Sequence, residues 1–76
     1  MRYSKELRSI LSRFGAGSIQ KDQVVQYLTR QSSQTTERDA ESILDDLEDE
    51  GYIEIVSEEK GELVQFTDKA VDEVFD

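Results

Sequence analysis

The apolar residues of this chain are few, and their spacing changes from helical to strand-like along it. Hydrophobic residues make up 36% of the 76 residues and charged residues another 36%, a balance that also occurs in disordered chains. Periodic spacing argues against disorder, because it places the apolar side chains on one face of each element. We therefore predict one folded α+β domain over residues 1–76, since a chain of this length supports a single core.

Helical spacing predicts two helices in the first 30 residues. Gly15 and Gly17 end the first helix, because glycine readily adopts the left-handed conformation of a helix C-cap. The apolar stripe of this helix comprises Tyr3, Leu7, Ile10, Leu11 and Phe14. The second helix runs from about Lys21 to Arg30, after a short extended segment at 18–20. Its apolar face comprises Val24, Val25 and Leu28.

The second half of the chain is predicted to hold a third helix and two strands. The helix begins at Thr35 or Thr36, whose hydroxyl can cap it, and ends at Gly51. Its apolar face comprises Ala40, Ile43, Leu44 and Leu47. Strands at 52–56 and 62–67 follow, with residues 57–61 joining them at hairpin length, and a last amphipathic turn or two begins at Asp68. We expect six aromatic side chains to pack in or against the core: Tyr3, Phe14, Tyr27, Tyr52, Phe66 and Phe75.

The residue types that the chain lacks exclude much enzyme chemistry. It has no cysteine and no histidine, so it has no disulfide framework, no Cys-His or Ser-His-Asp arrangement and no thiolate or imidazole metal site. The acidic run at 45–50 can be aligned with a calcium loop that starts at Asp46. That loop would need a bidentate acid at its twelfth position, where Ser57 stands. We predict no enzyme activity, no metal site and no cofactor.

Charge is distributed unevenly between the two halves of the chain. Residues 1–38 carry seven basic and three acidic side chains, and residues 39–76 carry two basic and fifteen acidic ones. The net charges are thus +4 and −13, within a formal total of −9. This asymmetry predicts one basic surface and one acidic surface on the folded protein.

Two segments resemble the winged helix-turn-helix domains of bacterial and archaeal transcriptional regulators. The first is Ala40-x-x-x-Leu44-x-x-Leu47-x-x-x-Gly51-x-Ile53, which is similar to the junction between recognition helix and first wing strand. The second is Val64-x-Phe66-Thr67-Asp68-Lys69-Ala70. It is similar to the second wing strand and the leucine-threonine-acid-lysine-glycine motif of that family, with Phe66 in place of the usual leucine and Ala70 in place of the usual glycine. The resemblance covers roughly residues 5–72. It implies a three-helix core, a hairpin wing and a short C-terminal helix.

The resemblance also implies sequence-specific binding of double-stranded DNA and a role in transcription regulation. The third helix, about 36–50, would lie in the major groove, with the 52–67 hairpin as the wing. Gln34 and Arg38 would approach bases, Ser42 would contact a base or a phosphate, and backbone N–H groups of residues 33–36 would meet a phosphate. Candidate phosphate contacts from the first two helices are Arg13, Lys21 and Arg30. The implied DNA-binding residues are Lys21, Arg30, Ser33, Gln34, Thr35, Thr36, Arg38, Ser42 and Lys60.

Three alternatives stay open at this point. The wing tip, Glu58-Glu59-Lys60, is acidic, which favours a winged-helix module that binds a basic protein surface instead of DNA. The bases of the first helix form either a phosphate-binding stripe or a solvated face, at Arg2, Lys5, Arg8 and Arg13. The apolar residues Val71, Val74 and Phe75 either cover the core or form a contact between two copies. We expect a homodimer.

The composition carries an expectation about origin and location. Many acids with few lysines are typical of proteins from salt-loving archaea and their viruses, and such a chain is predicted to loosen at low salt, where its acids repel one another. No apolar run is long enough to span a membrane, and no signal peptide is evident. We expect a cytoplasmic protein without a membrane partner.

Overall fold

The computed structural model describes residues 3–75, which form four helices and three strands. The elements are α1 (Ser4–Phe14), β1 (Ser18–Gln20), α2 (Lys21–Gln31), α3 (Glu37–Asp49), β2 (Ile53–Glu58), β3 (Gly61–Phe66) and α4 (Asp68–Phe75). The predicted α+β class and the predicted order of elements are confirmed. Within residues 3–75, no helix is both long enough and apolar enough to cross a membrane.

The three strands form one antiparallel sheet in the order β1-β3-β2. Val64 at the centre of β3 lies opposite Ile19 of β1 and Ile55 of β2, and it is fully buried. The hairpin differs from the prediction, because Ser57 and Glu58 pair with Glu62 and Gly61 and so belong to β2. Only residues 59 and 60 are left for the turn. The short extended segment at 18–20 is an edge strand of this sheet.

One core cluster joins the helices to the sheet. All three predicted helical stripes contribute to it, and so do the inner faces of the strands. Its buried members are Leu7, Ile10, Leu11, Ile19, Val24, Leu28, Ala40, Leu44, Leu47, Tyr52, Ile53, Val64 and Ala70. Of the α3 stripe, Ala40, Leu44 and Leu47 have no solvent exposure and Ile43 is half-buried, so this helix is held on one side by α2 and by the sheet, and its other side is left free.

Thr36, the second of the two predicted caps, begins α3. Its hydroxyl oxygen accepts a hydrogen bond from the Asp39 backbone N–H at 3.1 Å, and the Asp39 carboxylate accepts one from the Thr36 N–H at 3.2 Å. This reciprocal capping box satisfies two backbone donors that a helix N-terminus leaves unpaired. Glycine ends α1 and α3 as predicted: Gly15 (φ +83°) and Gly51 (φ +85°) both have a positive φ, which glycine adopts without a Cβ clash. Gly17 lies beyond the end of α1 and does not adopt it.

The segment after β3 closes the C-terminal end of α3. The Thr67 hydroxyl lies 2.7 Å from the Gly51 carbonyl oxygen, to which it can donate a hydrogen bond, and the Lys69 ammonium donates to the Glu50 carbonyl oxygen at 2.7 Å. Lys69 also lies over the Tyr52 ring, 4.5 Å from its centroid. These carbonyl groups at the end of α3 therefore gain partners from a segment that follows them by about sixteen residues.

The expectation that all six aromatic residues pack in the core is wrong for Phe75. This side chain is 64% exposed and lies at the last position of α4. Tyr52 is buried, and Tyr3, Phe14, Tyr27 and Phe66 are partly buried against the core. The end of α4 therefore presents a large apolar side chain to solvent.

Candidate nucleic-acid interface

The exposed face of α3 is polar along its whole length. Ala40, Leu44 and Leu47 turn towards the core with Ile43 beside them, so the opposite side of the helix points outwards. The residues exposed on that side are polar: Thr36, Glu37, Arg38, Glu41, Ser42 and Asp45. Arg38 and Ser42 lie four residues apart and therefore share one side of this face. They are the predicted base-contacting side chains that α3 itself supplies.

The backbone at the start of α3 is less available to a phosphate than predicted. The Thr36 N–H is taken by Asp39, and the Thr35 N–H donates to the Ser32 carbonyl oxygen at 3.1 Å. The Gln34 N–H lies 3.3 Å from the Ser32 hydroxyl oxygen. These three N–H groups therefore already have acceptors within the protein, which a phosphate would have to displace. The N–H groups of Glu37 and Arg38 remain in the first turn of the helix.

Most side chains of the turn before α3 are exposed. Ser33 and Gln34 are exposed, and Thr35 is half-buried. The contact between the Gln34 backbone N–H and the Ser32 hydroxyl oxygen holds the Gln34 backbone just before α3. Ser33, Gln34 and Arg38 together form a polar edge at the junction of α2 and α3.

Lys21, a predicted phosphate contact, is occupied by the protein itself. Its ammonium lies 3.4 Å from a carboxylate oxygen of Glu62 on β3 and 3.7 Å from one of Glu41 on α3. The Lys21 side chain is only 17% exposed. It therefore links α2, α3 and the hairpin, and a phosphate would have to displace two carboxylates to reach it.

The other predicted cations form no ion pair within the described residues. Arg30 and Arg38 are exposed, and within residues 3–75 neither has a carboxylate oxygen within 4.0 Å. Lys60 is exposed in the hairpin turn, likewise without an ion pair in the described part of the chain. The first-helix bases Lys5, Arg8 and Arg13 are also exposed, and Arg2, the remaining member of that stripe, lies outside the described residues. Free guanidinium groups therefore lie on α2 and on the first turn of α3.

Acidic side chains are exposed at the C-terminal end of α3 and on the hairpin. Asp45, Glu48 and Asp49 are exposed on α3, and Glu58 and Glu59 are exposed at the hairpin turn. Glu48 has a structural role, since its carboxylate accepts the Ile55 backbone N–H of edge strand β2 at 3.1 Å. Within residues 3–75, no three acidic side chains converge closely enough to hold a metal ion.

Two features near the interface are absent from the sequence analysis. The Tyr27 hydroxyl, the Ser9 hydroxyl and the Gln31 amide form a hydrogen-bonded group between α1 and α2, with distances of 2.7 and 2.8 Å. Burial raises the pKa of the Tyr52 phenol, and the negative charges of Glu73 and Glu50 raise it further. The first feature joins Ser9 of α1 to Tyr27 of α2, and the second includes Glu73 of α4, so spacing along the chain predicts neither of them.

Comparison with known proteins gives no further identification: no protein-family model, no curated protein and no solved structure matches this chain.

Proposed function

We propose that this chain is a winged helix-turn-helix protein that binds double-stranded DNA and regulates transcription. Support comes from the element order, in which α2, a short turn and α3 are followed by a β-hairpin. The two strands of this hairpin contact the helices, β3 beside α2 and β2 beside α3. In this proposal α3 enters the major groove, the residues of 32–38 face the bases and backbone, and α2 lies across the phosphates.

The observation that carries the proposal is the pair of unpaired guanidinium groups around the α2–α3 turn. Arg30 lies in the last turn of α2, and Arg38 lies in the first turn of α3. The chain has twice as many acids as bases, 18 against 9, yet no acid within residues 3–75 forms an ion pair with either of them. Guanidinium groups recognise phosphate and guanine with paired hydrogen bonds, so this turn is suited to a nucleic acid.

The protein acts as a homodimer in this proposal. The exposed Phe75 and the half-buried Val71 and Val74 lie on α4, and α4 packs against α1. A contact between two such surfaces would bring two copies of α3 into one two-fold arrangement, which matches a palindromic DNA site.

Titration of a labelled random duplex at low and at molar salt tests the proposal. We expect binding that weakens with salt, because counterions are released when cations contact phosphates. Arg38→Ala should weaken binding by about 1–3 kcal/mol, and Arg30→Ala should reduce the salt slope by about one. Arg8→Ala is the matched control, because it removes the same charge from an exposed site on α1. Equal losses for all three variants would show a net-charge effect and contradict the assigned interface.

A second candidate function is a winged-helix module that binds a basic protein surface. The observation that favours it is the hairpin, whose turn carries Glu58 and Glu59 beside a single Lys60. DNA-binding wings generally offer cations to the backbone, and this one has a net charge of −1 over the three residues. If duplex fails to bind at every salt concentration and a basic polypeptide binds to the hairpin, this second function replaces the first.

A further inference from the structure

A groove between α1 and α2 is lined by six side chains, none of which is acidic. Its volume is about 380 Å³, and its lining comprises Arg13, Phe14, Gln23, Gln26, Tyr27 and Arg30. Acids outnumber bases by 18 to 9 in the chain, so an acid-free groove with two guanidinium groups departs from the rest of the surface. Within residues 3–75, neither guanidinium has a carboxylate partner. The groove therefore has a local positive charge that the protein does not neutralise.

The aromatic wall of the groove is held in place by contacts on both sides. The Phe14 and Tyr27 rings meet edge to face, with their centroids 5.4 Å apart and an interplanar angle of 78°. The Tyr27 hydroxyl is fixed by Ser9 at 2.7 Å and by the Gln31 amide at 2.8 Å. The Arg13 guanidinium carbon lies 5.5 Å from the Phe14 centroid, a distance at which the ring attracts a cation. The wall is thus organised before any ligand arrives.

We propose that this groove binds a phosphate ester. Two guanidinium groups supply planar, paired N–H donors that fit phosphate oxygens, and their charge complements the anion. The amides of Gln23 and Gln26 supply donors and acceptors for the organic part, and the Phe14–Tyr27 wall supplies apolar contact. The volume lies in the range of about 300–1,000 Å³ that small-molecule sites occupy. This site does not depend on duplex binding by α3.

The phosphate ester can come from two sources, a free nucleotide or the backbone of a nucleic acid. A free nucleotide would bind in the absence of DNA and act as an effector bound between α1 and α2. A backbone phosphate would extend the contact of α2 with a duplex. The recognising chemistry is the same in both cases, and the two sources separate experimentally.

The test is an NMR titration of the isotopically labelled full chain, followed through the side-chain Nε–H signals of its arginines. The probes are inorganic phosphate, adenosine monophosphate and a short duplex, each added separately at constant ionic strength. We expect the Arg13 and Arg30 signals to shift together, ahead of those of Arg8 and Arg38, with at least one phosphate ester. Arg13→Gln and Arg30→Gln should each weaken that binding roughly fivefold or more. Arg8→Gln, an exposed change of equal charge on α1, should leave it unchanged.

The outcomes identify the source or overturn the site. A response to adenosine monophosphate without DNA assigns the groove to a free nucleotide. A response to duplex alone, with a salt slope reduced by about one in each groove variant, assigns it to the backbone. Equal shifts of all arginine signals with inorganic phosphate, or no shift of Arg13 and Arg30 with any probe, overturn the proposal.

The same titration separates failure of the groove from failure of the proposed function. If Arg38→Ala and Arg30→Ala weaken duplex binding as the proposed function predicts, and Arg13→Gln binds duplex as the wild type does, with no response to either small probe, then the groove is overturned and duplex binding by the α2–α3 turn stands. If duplex never binds and adenosine monophosphate shifts Arg13 and Arg30, then the groove stands and the proposed function fails. The spectra of the variants report their folding directly, and both arginines are exposed, so their replacement leaves the core intact.

Discussion

The two halves of this protein share one core and differ in how their charges are placed. Residues 1–38 have a net charge of +4, and within the described part of this half most bases have no acidic partner. Residues 39–76 have a net charge of −13, and most of their acids are exposed without a base nearby. Lys21 is the exception, since it links the halves through Glu41 and Glu62. Within the described residues, few of these opposite charges thus form ion pairs with one another, which leaves them available to a partner of opposite sign.

The shared core is the first part of this comparison to test, and it carries the largest expected effect. Leu44→Ala removes a fully buried side chain from α3, the element on which both halves pack. The free energy of unfolding should fall by about 2–5 kcal/mol, because the lost burial adds to the cost of a cavity. Urea unfolding measures it. Phe75→Ala is the control, because a side chain that is 64% exposed should contribute within about 0.5 kcal/mol in the monomer.

Thr36 caps α3, the helix that begins near the boundary between the halves. Thr36→Ala should lower the free energy of unfolding by about 0.5–2 kcal/mol, because Asp39 loses its side-chain acceptor at the start of α3. Thr36→Ser keeps the hydroxyl and should stay close to the wild type. Thermal and urea unfolding of both variants give the comparison. Equal losses in the two variants would show that the methyl group, and not the capping box, stabilises this turn.

The ion pairs of Lys21 are the third part to test. Lys21→Gln should lower the free energy of unfolding by about 0.2–1 kcal/mol, a modest effect because both carboxylates are partly exposed to solvent. The loss should shrink at high salt, where these charges are screened. Lys60→Gln removes an exposed cation without an ion pair in the described residues and is the matched control. A loss for Lys60→Gln as large as that for Lys21→Gln would contradict a specific link between the halves.

Tyr52 should give the smallest effect, and only in alkaline solution. Its pKa is raised in the folded protein by burial and by Glu73 and Glu50, so the folded state retains the phenol proton more strongly than the unfolded state. The stabilisation is complete below the ordinary tyrosine pKa of about 10 and is lost as the pH rises through that value and the folded one. Tyr52→Phe should remove this part of the pH dependence in urea unfolding between pH 8 and about 11. An unchanged profile would contradict the assignment.

The sequence predicts those parts of the fold that depend on spacing along the chain. The stripe from Ala40 to Leu47 places one face of α3 in the core, and Gly51 marks its end. Thr36 and Asp39 form a cap because they are three residues apart, a separation at which both hydrogen bonds close. Local spacing also predicts which side of α3 faces solvent. These features need no knowledge of distant residues.

Features that depend on folding bring together residues that spacing does not relate. Lys21 and Glu62 are 41 positions apart, so their ion pair appears only once the hairpin lies beside α2. The Arg13–Arg30 groove requires α1 to pack beside α2, which brings Phe14 against Tyr27. The strands extend to Glu58 and Gly61 because cross-strand pairing continues past the β-branched residues that predicted them. Phe75 is apolar and lies at helical spacing, so its position in the sequence predicts burial. In the structure it is the last residue of α4 and is exposed.

Mapping the duplex onto the surface by backbone NMR tests the central difference between the halves most directly. The account predicts that added duplex shifts the amide signals of Arg30, Gln34, Arg38 and Ser42, while those of Asp49 and Glu54 on the acidic side stay in place. The shifts should diminish as salt is raised. Shifts that centre on the acidic end of α3 and its neighbouring strand, or a spectrum that duplex leaves unchanged, would contradict it.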